Sequence, residues 1–415
     1  MTTPDLALLG ARVAKASRSI GRASGAMRAA ALVEAAAALR RHSVQVLEAN
    51  SADLDAAHSA GLTSTAIDRL QLDAGRVEAM ASGLEAVAQM PDPLGAVLDG
   101  SVRPNGLAVS RVRAPLGVVG VIYENRPNVT SDAAGLCIRS GNAAFLRGSS
   151  SSLRSNQAIV AALQEGLEAV GLPGEGVALV EDTSHATAVE FMQLRGILDV
   201  LIPRGGPSLI SSMLEHATVP YVLDGDGNCH VFVDESADLE MACAIIVNAK
   251  TQRPGVCNAM ESLVLHASVA HAVLDRLAVV MPEVRLLGCD RAQALSQRVE
   301  PADEADFRTE FLDLIASVKV VDTLDEAMAH IAKNGSGHTE AIVTSDVTSA
   351  ERFLSEVDAA AVVLNASTRF VDGGELGLGA EVGISTQKLH ARGPMGLEAL
   401  TSVRWVIRGE GQVRV

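Results

Sequence analysis

From residue 6 to about residue 89, apolar positions recur at intervals of three and four, as in Met27-Arg28-Ala29-Ala30-Ala31-Leu32-Val33-Glu34, which predicts a helical opening segment. Pro91, Asp92, Pro93 and Leu94-Gly95 end it, and residues 107–113 then alternate apolar with polar as a half-exposed strand does. Between residues 117 and 234, short apolar runs predict strands at 117–122, 143–146, 177–180 and 197–202, with further extended chain at 221–223 and 231–233. The intervening helices are expected from a cap at Ser131 or Asp132 to Gly141, and over 151–170, 184–194 and 207–216. After Asp234 the alternation restarts, with helices at 239–249, 269–280, 324–333 and 347–357 and strands at 262–266, 284–287, 318–321, 341–344 and 360–364. Apolar runs joined by helical crossovers indicate doubly wound parallel sheets, whose ligands bind at the carboxyl ends of the strands. A boundary is placed near Ser236, and the tail holds a Gly-rich loop followed by an alternating strand at 403–407.

Length changes this picture little: 415 residues correspond to about two or three domains. Charge narrows it more. With 34 Lys+Arg against 50 Asp+Glu the net charge is −16, which excludes a general nucleic-acid or anionic-membrane binder. Aromatic residues are only 2%, so the core is built from Ala, Val, Leu and Ile, and a base-stacking platform is excluded. Five cysteines, at 137, 229, 243, 257 and 289, form no CxxC pair, disulfide framework or zinc-ribbon spacing and point to a reducing compartment. The apolar run at 6–9 is too short for a signal segment, and no run approaches ~18 apolar residues, so a cytoplasmic location without metal or membrane is expected.

Of the cysteines, Cys257 has the most reactive setting, in the loop Thr251-Gln252-Arg253-Pro254-Gly255-Val256-Cys257-Asn258-Ala259. Pro and Gly shape a turn there and Arg253 supplies a cation, which a thiolate nucleophile requires; the plain alternative is a small buried hydrophobe, the reading kept for Cys137 and Cys243. Cys229-His230 lie on opposite faces of a strand, which favours a structural role over a shared metal. No G-x-G-x-x-G and no P-loop follow the early strands. Instead Arg147-Gly148-Ser149-Ser150 and Pro203-Arg204-Gly205-Gly206 each end a strand, open a helix and carry one Arg, suiting an anionic group at a helix N-terminus.

Three segments together, Gly117-Val-Val-Gly-Val-Ile-Tyr-Glu-Asn-Arg-Pro-Asn-Val-Thr130, Gln-Arg-Pro-Gly-Val-Cys-Asn-Ala around Cys257, and Asn334-Gly-Ser-Gly-His-Thr-Glu-Ala341, resemble the gamma-glutamyl phosphate reductase family of the aldehyde dehydrogenase superfamily, in order over nearly the whole chain. The resemblance implies an α/β, aldehyde dehydrogenase-like fold: two doubly wound α/β domains plus a small β oligomerisation extension. Residues 1–235 would then be the helical segment and NADP-binding domain, and 236–369 the catalytic domain. Residues 100–115 with 395–415 would supply strands that pair between subunits of a homo-oligomer, and 370–394 a loop returning to the active site.

The same resemblance implies NADPH-dependent reduction of L-glutamyl 5-phosphate to L-glutamate 5-semialdehyde and phosphate, the second step of proline biosynthesis, with the preceding glutamate kinase as a candidate partner. It assigns the nucleophile to Cys257, the oxyanion to the Cys257 N–H with Asn128 or Asn125, and the cofactor to Arg147, Ser149, Arg204, Gly205 and Glu310. Arg147 would face a 2′-phosphate and Glu310 the nicotinamide ribose. Arg126, Asn125, Arg253, His338 and Thr339 are the substrate-binding candidates. Where hydrolytic relatives carry a water-activating Glu before a Gly-Gly turn, this chain reads Leu223-Asp224-Gly225-Asp226-Gly227, which favours acyl-phosphate chemistry, with Asp224 as the alternative base.

Overall fold

The computed structural model describes residues 6–223 and 225–414. Its strands are β1 (Val97–Val102), β2 (Ala108–Pro115), β3 (Val118–Tyr123), β4 (Ala143–Arg147), β5 (Val177–Leu179), β6 (Val200–Arg204), β7 (Cys229–Val233), β8 (Met260–His266), β9 (Arg285–Gly288), β10 (Val299–Pro301), β11 (Ile315–Val321), β12 (Thr339–Val343), β13 (Ala361–Leu364), β14 (Ile384–Ser385), β15 (Gly393–Pro394) and β16 (Thr401–Arg408). They fall into two compact units, one comprising Met1–Leu223, Leu378–Gly383 and Met395–Val415, the other Asp224–Gly377 and Ile384–Pro394.

In the first unit the opening segment forms helices Leu6–Arg22, Gly25–Arg41, Ser43–Ser59, Ser64–Leu70 and Ala74–Gln89. Ser24 and Asp73 start two of them by accepting the N–H of Met27 and Arg76, the local chemistry that makes short polar residues good N-caps. Small residues bring these helices close to the sheet's own helices: a Cβ at Gly166 would lie 2.3 Å from the Ala35 backbone nitrogen. The parallel sheet runs β5-β4-β3-β6, and β3 is buried at every position, which is why it reads as an unbroken apolar run. The helix after β3 spans Asn128–Arg139, four residues earlier than a cap at Ser131 predicts. Pro127 already has helical backbone angles, and the Ser131 hydroxyl donates to the Asn128 carbonyl rather than capping.

A second, three-stranded antiparallel sheet in this unit has the order β1-β2-β16. Within the chain, β16 pairs with β2 from Thr401↔Pro115 to Arg408↔Ala108. Eight residues in continuous register satisfy both backbones, leaving β1 and the far side of β16 as the sheet's edges. β1 itself escapes the sequence pattern, since all six of its residues are exposed and no alternation marks it.

The second unit is a seven-stranded parallel sheet, β10-β9-β11-β8-β7-β12-β13. β7 lies inside the sheet, paired with β8 and β12, so the boundary expected near Ser236 moves upstream of Cys229: the ladder partners of β7 all belong to this unit. Helices Leu239–Thr251 and Ala267–Val280 cover one face over a core that includes Val231, Ile246, Leu263, Leu274 and Val318. The other face packs Phe232, Val264, Ile342 and Phe353. No helix among the described residues is long and apolar enough to cross a membrane.

Candidate active site

In the second unit, helix Leu239–Thr251 ends at Gln252 and the chain turns through Arg253–Asn258 before β8 begins. Cys257 in this loop is half-buried. The loop is held from several sides. The Thr368 hydroxyl donates to the Asn258 carbonyl (2.7 Å), the Asn258 amide donates to the Val371 carbonyl (2.9 Å), and the Cys229 thiol donates to the Cys257 carbonyl (3.1 Å). Gly227 lies so close that a Cβ there would sit 1.6 Å from the Cys257 carbonyl oxygen. The Gly227 N–H in turn donates to Glu310 Oε1 at 2.9 Å, which brings the Glu310 carboxylate to the nucleophile loop. The hairpin β14–β15 reaches the same stretch, the Gly225 N–H donating to the Ile384 carbonyl at 3.2 Å. Asp224 lies outside the described residues.

Beneath the loop the unit buries charges. Lys250 and Glu261 pair at 2.6 Å, both fully buried, and Glu261 Oε1 also accepts the N–H of Leu312, a non-glycine residue at φ 53°. Burial pushes Glu261 up to about 7 and Lys250 down, each opposed by its partner. His230 Nδ1 lies 2.8 Å from Glu340 Oε2, so Cys229-His230 is structural, one side chain serving each face of β7. Burial also drives the Cys229 thiol well above its usual range, which makes it a neutral donor and not a second nucleophile.

His338 and Thr339 belong to this buried layer, both at 0% exposure. His338 Nδ1 lies 2.8 Å from the Thr339 hydroxyl and 3.6 Å from Cys229 Sγ. Thr339 opens the buried strand β12, and both side chains are enclosed within the second unit. Arg253 stays exposed on the loop.

In the first unit, the expected residues gather at the carboxyl ends of β3, β4 and β6. Asn125, at φ 38°, accepts the Ser149 hydroxyl at 3.0 Å and the Ser151 hydroxyl through its side-chain oxygen. Asn128 is exposed and its amide donates to Asp132 Oδ2 at 2.9 Å; burial raises Asp132 to about 6, while Asn128 and Arg204 pull it down. Arg147 donates through Nη2 to the carbonyls of Thr183 (2.8 Å) and Ser184 (3.1 Å), and its buried Nε has no partner. Arg126 accepts the Val129 N–H at its carbonyl, at the start of the same helix. Glu124, absent from the sequence-based candidates, accepts the Gly206 N–H at 3.0 Å and would meet a Cβ at Gly205, so it braces the Arg204-Gly205 turn. Beside β5 a cavity of about 800 Å³ is lined by Val160, Ala161, Val180, Asp182 and Thr187, with Leu6 and Arg12 of the first helix.

Sequence reasoning also missed Gly227, the Lys250–Glu261 pair and Arg369, whose Nε donates to Gln252 at 2.9 Å. The available signal for Arg369 was its position just past an apolar strand of the same parallel sheet.

The aldehyde dehydrogenase family pattern matches residues 5–294. A gamma-glutamyl phosphate reductase of Heliobacterium modesticaldum is 50% identical over 412 residues, 99% of either chain. One of Halalkalibacterium halodurans is 53% identical over 372 residues, 89% of either chain. The crystal structure of the gamma-glutamyl phosphate reductase of Thermotoga maritima superposes with a TM-score of 0.96 at 44% identity, covering 99% of this chain and 100% of that one. The chain belongs to the aldehyde dehydrogenase family and, within it, to the gamma-glutamyl phosphate reductases.

Proposed function

We propose that this chain reduces L-glutamyl 5-phosphate to L-glutamate 5-semialdehyde and phosphate, in proline biosynthesis, with Cys257 as the nucleophile. The observation that carries the reading is the immobilised loop: a half-buried cysteine clamped by Asn258, Cys229 and Gly227 in a chain 50% identical to named reductases. The Cys257 thiolate attacks the γ-carbonyl; a C–S bond forms, the C–O bond to phosphate breaks, and phosphate leaves with the electron pair. The Cys257 N–H and an Asn side chain would hold the oxyanion. Asn125 suits this better than Asn128, because its oxygen is held by two serines and its amide nitrogen is thereby oriented, whereas the Asn128 amide is given to Asp132. After the acyl carbon is reduced, the thiohemiacetal collapses, the C–S bond breaks to return the thiolate, and the aldehyde leaves.

NADPH supplies the hydride when bound. The residues at the carboxyl ends of β4 and β6 fit such a dinucleotide: Arg147 is anchored on the Thr183 and Ser184 carbonyls with a buried Nε that has no partner among the described residues, and the Arg204-Gly205 turn opens a helix. Arg147 and Ser149 would hold the 2′-phosphate end, Arg204 and Gly205 the pyrophosphate, and Glu310 the nicotinamide ribose. Assembly as a homo-oligomer, partnership with the glutamate kinase that makes the acyl phosphate, and a cytoplasmic location complete the proposal. In the reverse direction, semialdehyde oxidation by NADP requires phosphate or arsenate; robust NADP reduction in phosphate-free buffer overturns the reading in favour of a hydrolytic dehydrogenase.

A further inference from the structure

We propose that Arg369 binds the phosphoryl group of the acyl phosphate, making the turn at 367–371 the phosphate subsite beside Cys257. This rests on the acyl-phosphate reading above. The turn is built rigidly onto the nucleophile loop. Asn365, at φ 53°, exchanges two hydrogen bonds of 2.9 Å with the backbone of Thr344 and so turns the chain out of β13. The Ser367 hydroxyl accepts the Arg369 N–H at 3.3 Å. Thr368 and Val371 then clamp Asn258, the residue after the nucleophile, while Arg369 Nε grips Gln252, five residues before it. An arginine attached at both ends of a cysteine loop is fixed relative to the sulfur.

The surroundings suit a phosphate. Arg369 lines a cavity of about 220 Å³ with Asn248, Gln252, Phe370, Asp372 and Glu375. Burial pulls its pKa down, Asp372 holds it up, Arg253 repels it, and the thiols of Cys257 and Cys229 lie within its field. Two guanidinium groups held near one another repel; a phosphate dianion between them removes that cost, and the planar donor fork of arginine matches phosphate oxygens. Asp372 and Glu375 line the same cavity and oppose any anion, so the subsite relies on the directed donor fork of Arg369 rather than on net charge.

Steady-state oxidation of the semialdehyde by NADP, with inorganic phosphate varied, tests this on the full chain. Arg369→Ala is expected to raise the KM for phosphate about tenfold or more, with the KM for semialdehyde within about twofold of wild type, because the phosphate contact is lost while Thr368 and Val371 still hold the cysteine loop through Asn258. Arg369→Lys should recover part of the loss, and millimolar guanidinium should partly rescue the Ala variant. Alkylation of Cys257 by iodoacetamide across pH should stay close to wild type. The phosphate-subsite assignment is overturned by an unchanged phosphate KM. It is equally overturned by equal rises in both KM values, or by a loss confined to kcat that tracks slower alkylation, which would make Arg369 a support for the thiolate alone. A wild-type enzyme indifferent to phosphate overturns the acyl-phosphate reading itself, before any variant is compared.

Discussion

At the carboxyl ends of β3 and β4 the chain satisfies itself with short neutral groups, Ser149 and Ser151 on Asn125, and Tyr123 on Thr130. Beneath Cys257 it buries ionisable side chains instead, Lys250 on Glu261 and His230 on Glu340. On the proposed function the contrast follows from two tasks. A dinucleotide would enter and leave at every turnover, and a cradle for it gains from hydroxyls and backbone groups that exchange partners at little cost. A nucleophile that would hold its substrate covalently gains from a loop that does not move, and a buried ion pair fixes its surroundings because losing one partner strands the other.

The largest expected effect is chemical: Cys257→Ser lowers turnover by at least about 10³-fold while leaving the circular dichroism spectrum unchanged. If turnover survives, the loop is a structural clamp and the contrast loses its chemical half. Stability comes next. Glu261→Ala strands Lys250 and should cost about 3–5 kcal/mol in urea unfolding, against about 0.5–1.5 kcal/mol for Ser149→Ala. Equal costs at the two positions would mean that the charged layer is no more rigid than the serine turn. Arg147→Ala should raise the KM for NADPH about tenfold and that for NADH far less, which sharpens the cradle's role; equal changes would place the 2′-phosphate elsewhere.

The smallest effect is in pH. Burial lifts Glu261 from 4.5 to about 7, so between those values the unfolded chain has released a proton that the folded one keeps. The unfolded state then binds fewer protons, and stability falls as pH rises through this window. Glu261→Gln should flatten that decline in denaturant midpoints measured from pH 4.5 to 7.

Most of the two parallel sheets was legible because their strands are apolar runs bounded by Gly, Pro or capping residues. β1 was not, since an exposed strand stabilised by its partner β2 carries no alternation, and neither was β10, three residues long at a sheet edge. The boundary slipped because no crossover helix separates residue 224 from β7, so nothing local marks the change of sheet. In the site, Cys257 stood out through Pro254 and Gly255. The burial of His338 was not legible, because Gly335-Ser336-Gly337 reads as an exposed loop, yet the next residues enter a fully buried strand. Contacts such as Arg369 with Gln252, 117 residues apart, and His230 with Glu340, 110 apart, exist only once the sheet has assembled.

The pairing of β16 with β2 also sets a timetable. Arg113 and Thr401, partners across that seam, are separated by 288 residues. At roughly 5–20 residues per second of synthesis, β2 emerges from the ribosome on the order of 15 to 60 seconds before the strand that covers it. During that interval its open backbone edge is a template for any passing strand. Arg113 lies on β2 itself, and because its partner in the finished fold, Glu398, is made only just before the covering strand, its charge opposes pairing of the waiting edge with another copy until then.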